Sequence, residues 1–93
     1  MATCIITGAG SGIGRATAIE MSRRNDYDTL YLIGRNPKGL EETVSMLSPG
    51  KEIRIKQFDL IDLDGIPGLV KEIYQESGNI QCLLNIAGSP RFC

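Results

Sequence analysis

A glycine-rich segment near the start of the sequence constrains the fold more than any other feature. Residues 3–7 are mainly apolar or β-branched, and they run directly into the heptapeptide Gly-Ala-Gly-Ser-Gly-Ile-Gly at residues 8–14. This order predicts a strand, a tight turn and then a helix, whose first amide groups are unpaired and able to bind a phosphate. Gly8 permits the tight turn, while Gly12 and Gly14 allow the backbone to approach a pyrophosphate and the helix to approach the sheet.

Strands and helices alternate along the rest of the sequence. Hydrophobic spacing predicts further strands at residues 30–33, 52–58 and 82–84. It predicts helices at about residues 12–24, from Pro37 to the Ser-Pro-Gly sequence at 48–50, and around residues 66–73. The face of the first helix is expected to comprise Ile13, Gly14, Thr17, Ala18 and Met21. Asp62 or Asp64 is the expected cap of the third helix.

Strands that alternate with helices of this length form parallel sheets with right-handed crossovers. We therefore predict an α/β protein with a partial Rossmann, or doubly wound, fold: a βαβαβαβ chain with the parallel sheet order 3-2-1-4. Ile53 and Ile55 alternate with charged residues, as expected for an edge strand that is covered on one side. Residues 82–84 are apolar throughout and predict a strand that is buried on both faces.

Composition narrows the function classes. Ten basic and eleven acidic residues give a net charge of -1, which provides no long-range attraction for nucleic acid or an acidic membrane. Three cysteines without metal-ligand spacing and the absence of histidine predict neither a metal site nor a disulfide framework. The sequence starts almost directly with a strand and contains no long apolar run, which predicts a cytoplasmic chain without a membrane partner.

Four short motifs carry a more specific signal. They are Thr7-Gly8-x-x-x-Gly12-Ile13-Gly14, Gly34-Arg35-Asn36, Asp59-Leu60 and Leu84-Asn85-Ile86-Ala87-Gly88. Because these motifs occur in this order and at these positions, the chain resembles the N-terminal, cofactor-binding part of the classical short-chain dehydrogenases/reductases. A P-loop is excluded because no Lys-Ser or Lys-Thr pair follows the last glycine. The resemblance implies one NAD(P)-binding Rossmann-type domain at residues 1–93, truncated after the fourth strand. In the full-length relative it implies hydride transfer between NADP(H) and an alcohol or carbonyl.

The resemblance also implies a set of cofactor-binding residues, each placed along the dinucleotide. The set comprises Gly8, Ser11, Gly12, Ile13, Gly14, Arg35, Asn36, Asp59, Leu60, Asn85, Ala87 and Gly88. The glycines and Ile13 are expected at the pyrophosphate, and Ser11 beside the adenosine ribose. Asp59 and Leu60 are expected to border the adenine, and Asn85, Ala87 and Gly88 to support the central strand and the nicotinamide ribose.

Some of these residues have a structural alternative, and two positions depart from the family. Asp59 is also suited to cap the turn before the third helix, and Asn85 to satisfy backbone groups in the sheet. Ile86 stands where the family usually has a second asparagine, and Gln81 where an acidic residue is common. Both departures bear on the hydrogen bonding around the fourth strand and on the geometry near the nicotinamide.

The second motif predicts the cofactor. Gly34 occupies the position where NAD-dependent relatives commonly carry an acidic residue, so no carboxylate there would repel a phosphate. Arg35 follows, and its planar guanidinium suits a 2′-phosphate, with Asn36 and Ser11 as neutral donors. We therefore expect NADP, with NAD less favoured. The alternative is that Arg35 is a solvated loop residue that leads into the helix at Pro37.

The residues that carry out the chemistry of the family are missing. No Tyr-x-x-x-Lys occurs, because Tyr27, Tyr31 and Tyr74 are followed four residues later by Tyr31, Arg35 and Gly78. We thus assign no catalytic residue and predict that the chain alone is inactive. The alternative function is a non-catalytic nucleotide-binding or dimerisation module. Such a module would self-associate through the exposed edge of the fourth strand.

Overall fold

The computed structural model describes residues 2–10, 12–59, 62–78, 80 and 82–84. These residues form four strands and three α-helices in strict alternation. The strands are β1 (Thr3–Thr7), β2 (Thr29–Gly34), β3 (Glu52–Gln57) and β4 (Cys82–Leu84), and the helices are α1 (Gly12–Arg23), α2 (Pro37–Ser45) and α3 (Ile66–Ser77). A single 3₁₀ turn, Leu63–Gly65, leads into α3.

The four strands form one parallel sheet in the order β3-β2-β1-β4. In this sheet Ile5 lies between Tyr31 on β2 and Leu83 on β4. The predicted fold class and strand order are thereby confirmed, including the edge position of β3. No helix within the described residues is both long and apolar enough to cross a membrane.

The two faces of the sheet have separate cores, because successive strand residues point to opposite sides. On one face α1 and α2 pack over a buried cluster that includes Cys4, Ile6, Leu30, Leu32 and Leu40. On the other face α3 packs over a smaller cluster of Ile5, Tyr31, Ile33 and Ile73. The sheet therefore places the carboxyl ends of β1 and β2 between helices on both sides.

Several helix boundaries and faces differ from the prediction. Helix α2 ends at Ser45, because the N–H groups of Met46 and Leu47 bond to the carbonyls of Thr43 and Val44 and tighten the last turn. The expected face of α1 was wrong for Ile13, which is 75% exposed. Since the buried positions are Gly14, Ala18 and Ser22, four residues apart, Ile13 points to solvent from the first turn.

Two predictions, about the cap of α3 and the burial of β4, were also wrong. Gly65 occupies the N-cap position of α3, and within the described part of the chain neither Asp62 nor Asp64 makes a side-chain capping bond. A 3₁₀ turn that contains Asp64 follows Asp62, and α3 begins only after this turn. Strand β4 is not buried on both faces, since Leu83 is 62% exposed. The reason is that α3, the one described helix on that face, packs over β1 and β2.

Candidate functional site at the glycine turn

The glycine turn connects β1 to α1 and comprises residues 8–14, of which Ser11 lies outside the described residues. Its backbone takes the left-handed conformation twice, with φ of 66° at Gly8 and 58° at Gly12. Residues with a Cβ atom adopt this conformation at a steric cost, so both positions favour glycine. The turn can therefore reverse the chain within a few residues and start α1 directly above the sheet.

Gly14 allows α1 to pack directly against the turn. A Cβ atom at this position would lie 1.8 Å from the carbonyl oxygen of Gly8 and 2.4 Å from its carbonyl carbon. At Gly12, in contrast, a Cβ atom would meet nothing within 4 Å. The first turn of α1 contains no acidic side chain that would oppose an anion. The turn thus fits a pyrophosphate, because its backbone is accessible at Gly12 and packs against α1 at Gly14.

The start of α2 also packs closely on this turn. A Cβ atom at Gly39 would lie 2.8 Å from the carbonyl oxygen of Gly10. The amide of Ala9 donates to the carbonyl of Ile33 at 3.2 Å, which ties the turn to the end of β2. Two segments that are distant in sequence, the glycine turn and the β2–α2 junction, therefore form one continuous surface at the carboxyl ends of β1 and β2.

Arg15 joins the two segments, and sequence reasoning missed it. Its Nη2 donates to the Gly10 carbonyl at 2.6 Å and to the Gly39 carbonyl at 3.2 Å, while its Nε donates to Thr43 Oγ1 at 2.9 Å. A salt bridge of 3.3 Å to Glu42 completes the set. The one sequence signal was Gly39 itself, since a glycine inside a helix often has a packing reason.

Thr43 of α2 also contacts the buried side of the glycine turn, at Ala9. Its side chain is fully buried, and its Oγ1 lies 2.7 Å from the Ala9 carbonyl and 3.1 Å from the Gly39 carbonyl. The hydroxyl proton can bond the nearer carbonyl while the oxygen accepts the bond from Arg15. The glycine turn is therefore held to α2 by two side chains, one from each helix.

The predicted NADP-selecting residues lie at the β2–α2 junction. Asn36 is the N-cap of α2, and its Oδ1 accepts a bond from the Lys38 amide at 3.0 Å. Arg35 has an exposed side chain, and its carbonyl accepts a bond from Gln57 Nε2 at 3.3 Å. The backbone of Arg35 is thus held by β3, while its guanidinium faces solvent. No acidic residue occurs from residue 29 to residue 40.

The remaining predicted residues lie further along the sheet. Asp59 follows β3 with an exposed side chain, and its carbonyl accepts a bond from the Asp62 amide at 2.9 Å. Five predicted cofactor-binding residues fall outside the described residues: Ser11, Leu60, Asn85, Ala87 and Gly88. The two family departures, Gln81 and Ile86, also fall outside them. The described part of the site therefore comprises the glycine turn and the β2–α2 junction.

A charged cluster lies on the side of the sheet that α3 covers. Glu76 of α3 accepts bonds from Lys56 Nζ at 3.0 Å and from the Tyr31 hydroxyl at 2.8 Å. These bonds, from Lys56 first and Tyr31 second, lower the pKa of the Glu76 carboxyl below its ordinary value. A polar cleft of about 170 Å³ adjoins this cluster and includes Thr3 and Thr29, which begin their strands. It is therefore separate from the glycine turn.

Two thiols face each other inside the sheet. Cys4 of β1 is the register partner of Cys82 of β4, and both belong to the core beneath α1 and α2. Burial, together with a hydrogen bond to Cys82, raises the pKa of the Cys4 thiol to about 12. A thiol with such a pKa is a weak nucleophile at neutral pH, which fits the place of Cys4 in the core.

Known proteins resemble this chain in sequence and in fold. A family model described as short chain dehydrogenase matches residues 2–93. The NADP-dependent 3-hydroxy acid dehydrogenase of Schizosaccharomyces pombe is 35% identical over 88 residues, covering 92% of this chain and 34% of its own. The sepiapterin reductase of Chlorobaculum tepidum is 35% identical over 94 residues, with 95% of this chain and 38% of that protein covered.

The fold has matching solved structures. A metagenomic short-chain oxidoreductase, crystallised in complex with NADP, superimposes with a TM-score of 0.81 at 25% identity, covering 94% of this chain and 39% of that one. The chain spans roughly a third of the length of the curated relatives it matches, 34% and 38% in the two cases above. Since the family model extends over nearly every residue, this chain belongs to the short-chain dehydrogenase family.

Proposed function

We propose that this chain forms a cofactor-binding domain, residues 1–93, of a short-chain dehydrogenase/reductase and binds NADP(H) across the glycine turn. The observation that carries the proposal is the contact of Gly14 with the Gly8 carbonyl, combined with the open space above Gly12. Among the described residues, this arrangement leaves backbone amides at the start of α1 accessible to a pyrophosphate. Ile13, which is exposed beside these amides, would lie along the same part of the cofactor.

The preference for NADP over NAD is argued from charge at the β2–α2 junction. Arg35 and Lys38 are exposed there, and the nearest acidic residues in sequence are Asp28 and Glu41. A guanidinium can hold a 2′-phosphate through two parallel bonds. The Oδ1 of Asn36 already caps α2, so the amide nitrogen of this side chain is the group that would donate to the phosphate. A relative and a structural neighbour that are named for NADP support the same preference.

The test compares 2′-phospho-AMP with AMP, which differ only in the 2′-phosphate. NMR titration of the 93-residue chain is suitable because it measures weak binding. Weak binding is expected, since contacts from the rest of a complete doubly wound sheet are lost. A charge-assisted bond of about 1.5–3 kcal/mol corresponds to a preference of roughly tenfold or more for 2′-phospho-AMP. Arg35→Ala should abolish the preference, whereas Arg23→Ala, an exposed arginine at the end of α1, should keep it.

The outcomes separate the two parts of the proposal. Equal affinities for the two nucleotides in the wild type would overturn the NADP preference. If neither nucleotide shifts the amide resonances of Gly12 and Gly14, the proposed cofactor site itself is wrong.

We propose further that the chain alone transfers no hydride. The 93 residues contain no Tyr-x-x-x-Lys, and a positioned proton donor alone contributes about a hundredfold to ten-thousandfold to such reactions. Nicotinamide absorbance recorded with a panel of alcohols and carbonyls checks this. Turnover that accompanies the chain through purification and disappears in Gly12→Val would contradict it.

One observation favours a second candidate function, a non-catalytic module that associates with a second copy. Leu83 is 62% exposed on β4, which is the last strand of the described sheet on that side. Unpaired apolar strands tend to pair with other chains. Light scattering after gel filtration distinguishes the candidates: a monodisperse dimer that Leu83→Lys converts to a monomer would support the module. A monomeric wild type would exclude it.

A further inference from the structure

The two segments proposed to hold the cofactor have to keep a fixed spacing. The glycine turn would bind the pyrophosphate, and Arg35 would bind the 2′-phosphate of the same ligand. Because a dinucleotide has a defined length between these groups, the relative position of the segments decides whether both can bind at once. A residue that sets this position would control the discrimination between NADP and NAD without touching either cofactor.

We infer that Arg15 is this positioning residue: it joins the glycine turn to α2 and so fixes the distance from the pyrophosphate site to Arg35. The inference rests on the proposed NADP function. Arg15 is the first residue after the last glycine of the turn, and it makes hydrogen bonds to both segments. It bonds the Gly10 carbonyl in the turn, and the Gly39 carbonyl and Thr43 hydroxyl in α2.

The chemistry of the side chain suits this role. The guanidinium is planar, so its Nε and Nη2 donors point in fixed directions, and bonding both to α2 fixes the tilt of the helix as well as its distance. The side chain is only 25% exposed, so water competes little for these bonds. A lysine at this position would supply one flexible donor group and could not hold the same geometry.

Arg35 is connected to α2 through a single residue, Asn36. Asn36 caps α2, and its carbonyl accepts the bond from Leu40 that starts the helix. Arg35 is the residue before this cap, and its carbonyl is bonded by Gln57. Arg35 is thus held to β3 through its carbonyl, and a tilt of the first turn of α2 acts on it through Asn36.

The glycine turn itself has supports that do not depend on Arg15. Gly14 packs against the Gly8 carbonyl, and the Ala9 amide bonds the end of β2. The Ala9 carbonyl also keeps its bond from Thr43. Loss of Arg15 should consequently disturb the 2′-phosphate site more than the pyrophosphate site. This predicts a change in selectivity in addition to any change in stability.

The experiment measures the ratio of the dissociation constants of AMP and 2′-phospho-AMP by NMR titration. In Arg15→Gln the ratio should fall from about tenfold or more to about threefold or less, with AMP binding changed by less than about twofold. Arg15→Lys should recover little of the ratio. Arg23→Gln, the same substitution at an exposed position of α1, should leave it unchanged.

A double-mutant cycle with Arg35→Ala separates positioning from a purely structural effect. If Arg15 acts through Arg35, Arg15→Gln should not change the ratio further once Arg35 is replaced. An equal loss of both affinities, with a constant ratio, would show a purely structural role and would overturn the inference. A wild type that shows no preference for the 2′-phosphate would overturn the proposed function instead.

A second variant covers the case in which Arg15→Gln does not fold. Thr43→Val removes the acceptor of the Arg15 Nε bond without changing any charge, and it also removes the bond from Thr43 to the Ala9 carbonyl. The inference requires the ratio to fall in this variant too, by about twofold to fivefold. An unchanged ratio in folded Thr43→Val would overturn it.

Discussion

Replacing Gly14 by alanine should destabilise the protein, although helix propensity alone predicts the opposite. Gly14 lies in the first turn of α1, where alanine is the better helix former by about 1 kcal/mol. The added Cβ atom, however, would lie 1.8 Å from the Gly8 carbonyl oxygen, and opening that contact to 3.0 Å requires a shift of about 1 Å. Both atoms belong to the backbone, so no side-chain rotation can relieve the overlap.

The magnitude follows from comparing these two effects. Overpacking costs typically about 1–3 kcal/mol, and a backbone overlap belongs at the upper end of this range or beyond it. After subtracting about 1 kcal/mol for helix propensity, the net loss should be about 2 kcal/mol or more. For a chain of this size such a loss lowers Tm by roughly 8–16 °C.

Gly68 of α3 provides a matched control. It is also a helical glycine, but a Cβ atom at this position would meet nothing within 4 Å. Gly68→Ala should therefore raise the free energy of unfolding by about 0.5–1 kcal/mol, in the opposite direction to Gly14→Ala. Urea unfolding followed by circular dichroism measures both variants under the same conditions. A Gly14→Ala variant as stable as the wild type would refute the packing argument for the turn.

Three further predictions follow from the charged cluster, the buried thiol and the α2 contact. Because its pKa is lowered in the folded chain, Glu76 stabilises the fold at neutral pH and loses this contribution as the pH falls through its lowered pKa. In Glu76→Gln the decrease of Tm towards acid pH should be shallower, and an unchanged slope would contradict this. Native Cys4 should resist alkylation near pH 8, and peptide mass mapping should find it labelled only after unfolding. Gly39→Ala should lower Tm, since its Cβ atom would lie 2.8 Å from the Gly10 carbonyl oxygen, and an unchanged Tm would show that α2 can shift.

The architecture could be predicted because it depends on local patterns. The alternation of Ile53 and Ile55 with charged residues predicted an edge position for β3, and the Rossmann arrangement predicted the strand order that agrees with it. The turn was equally local, since the tight turn expected at Gly8 has a positive φ angle there. In both cases neighbouring residues in the sequence carry the information.

The predictions that failed depend on which surfaces other elements cover. Ile13 was assigned to the buried face of α1 on spacing alone, but the contact of Gly14 with the turn decides which side of the helix faces inward. Leu83 was expected to be buried because its neighbours are apolar, yet α3 covers a different part of that face. Apolar spacing shows that a residue can be buried, whereas burial itself depends on the partner element.

The role of Arg15 was hidden for a related reason. A resemblance to a family assigns roles to residues within its motifs, and these motifs describe the groups that would contact the cofactor. Arg15 stands just outside the first motif, and its partners Gly39 and Thr43 are 24 and 28 residues away in sequence. No local pattern links such positions. Gly39 was the available clue, because a glycine in the first turn of a helix is unfavourable and can mark a close backbone contact, although Gly68 in α3 has none. Gly39 contacts Gly10, and the Gly10 carbonyl in turn accepts a bond from Arg15. Residues that disfavour the element in which they lie are therefore useful starting points for finding positioning residues.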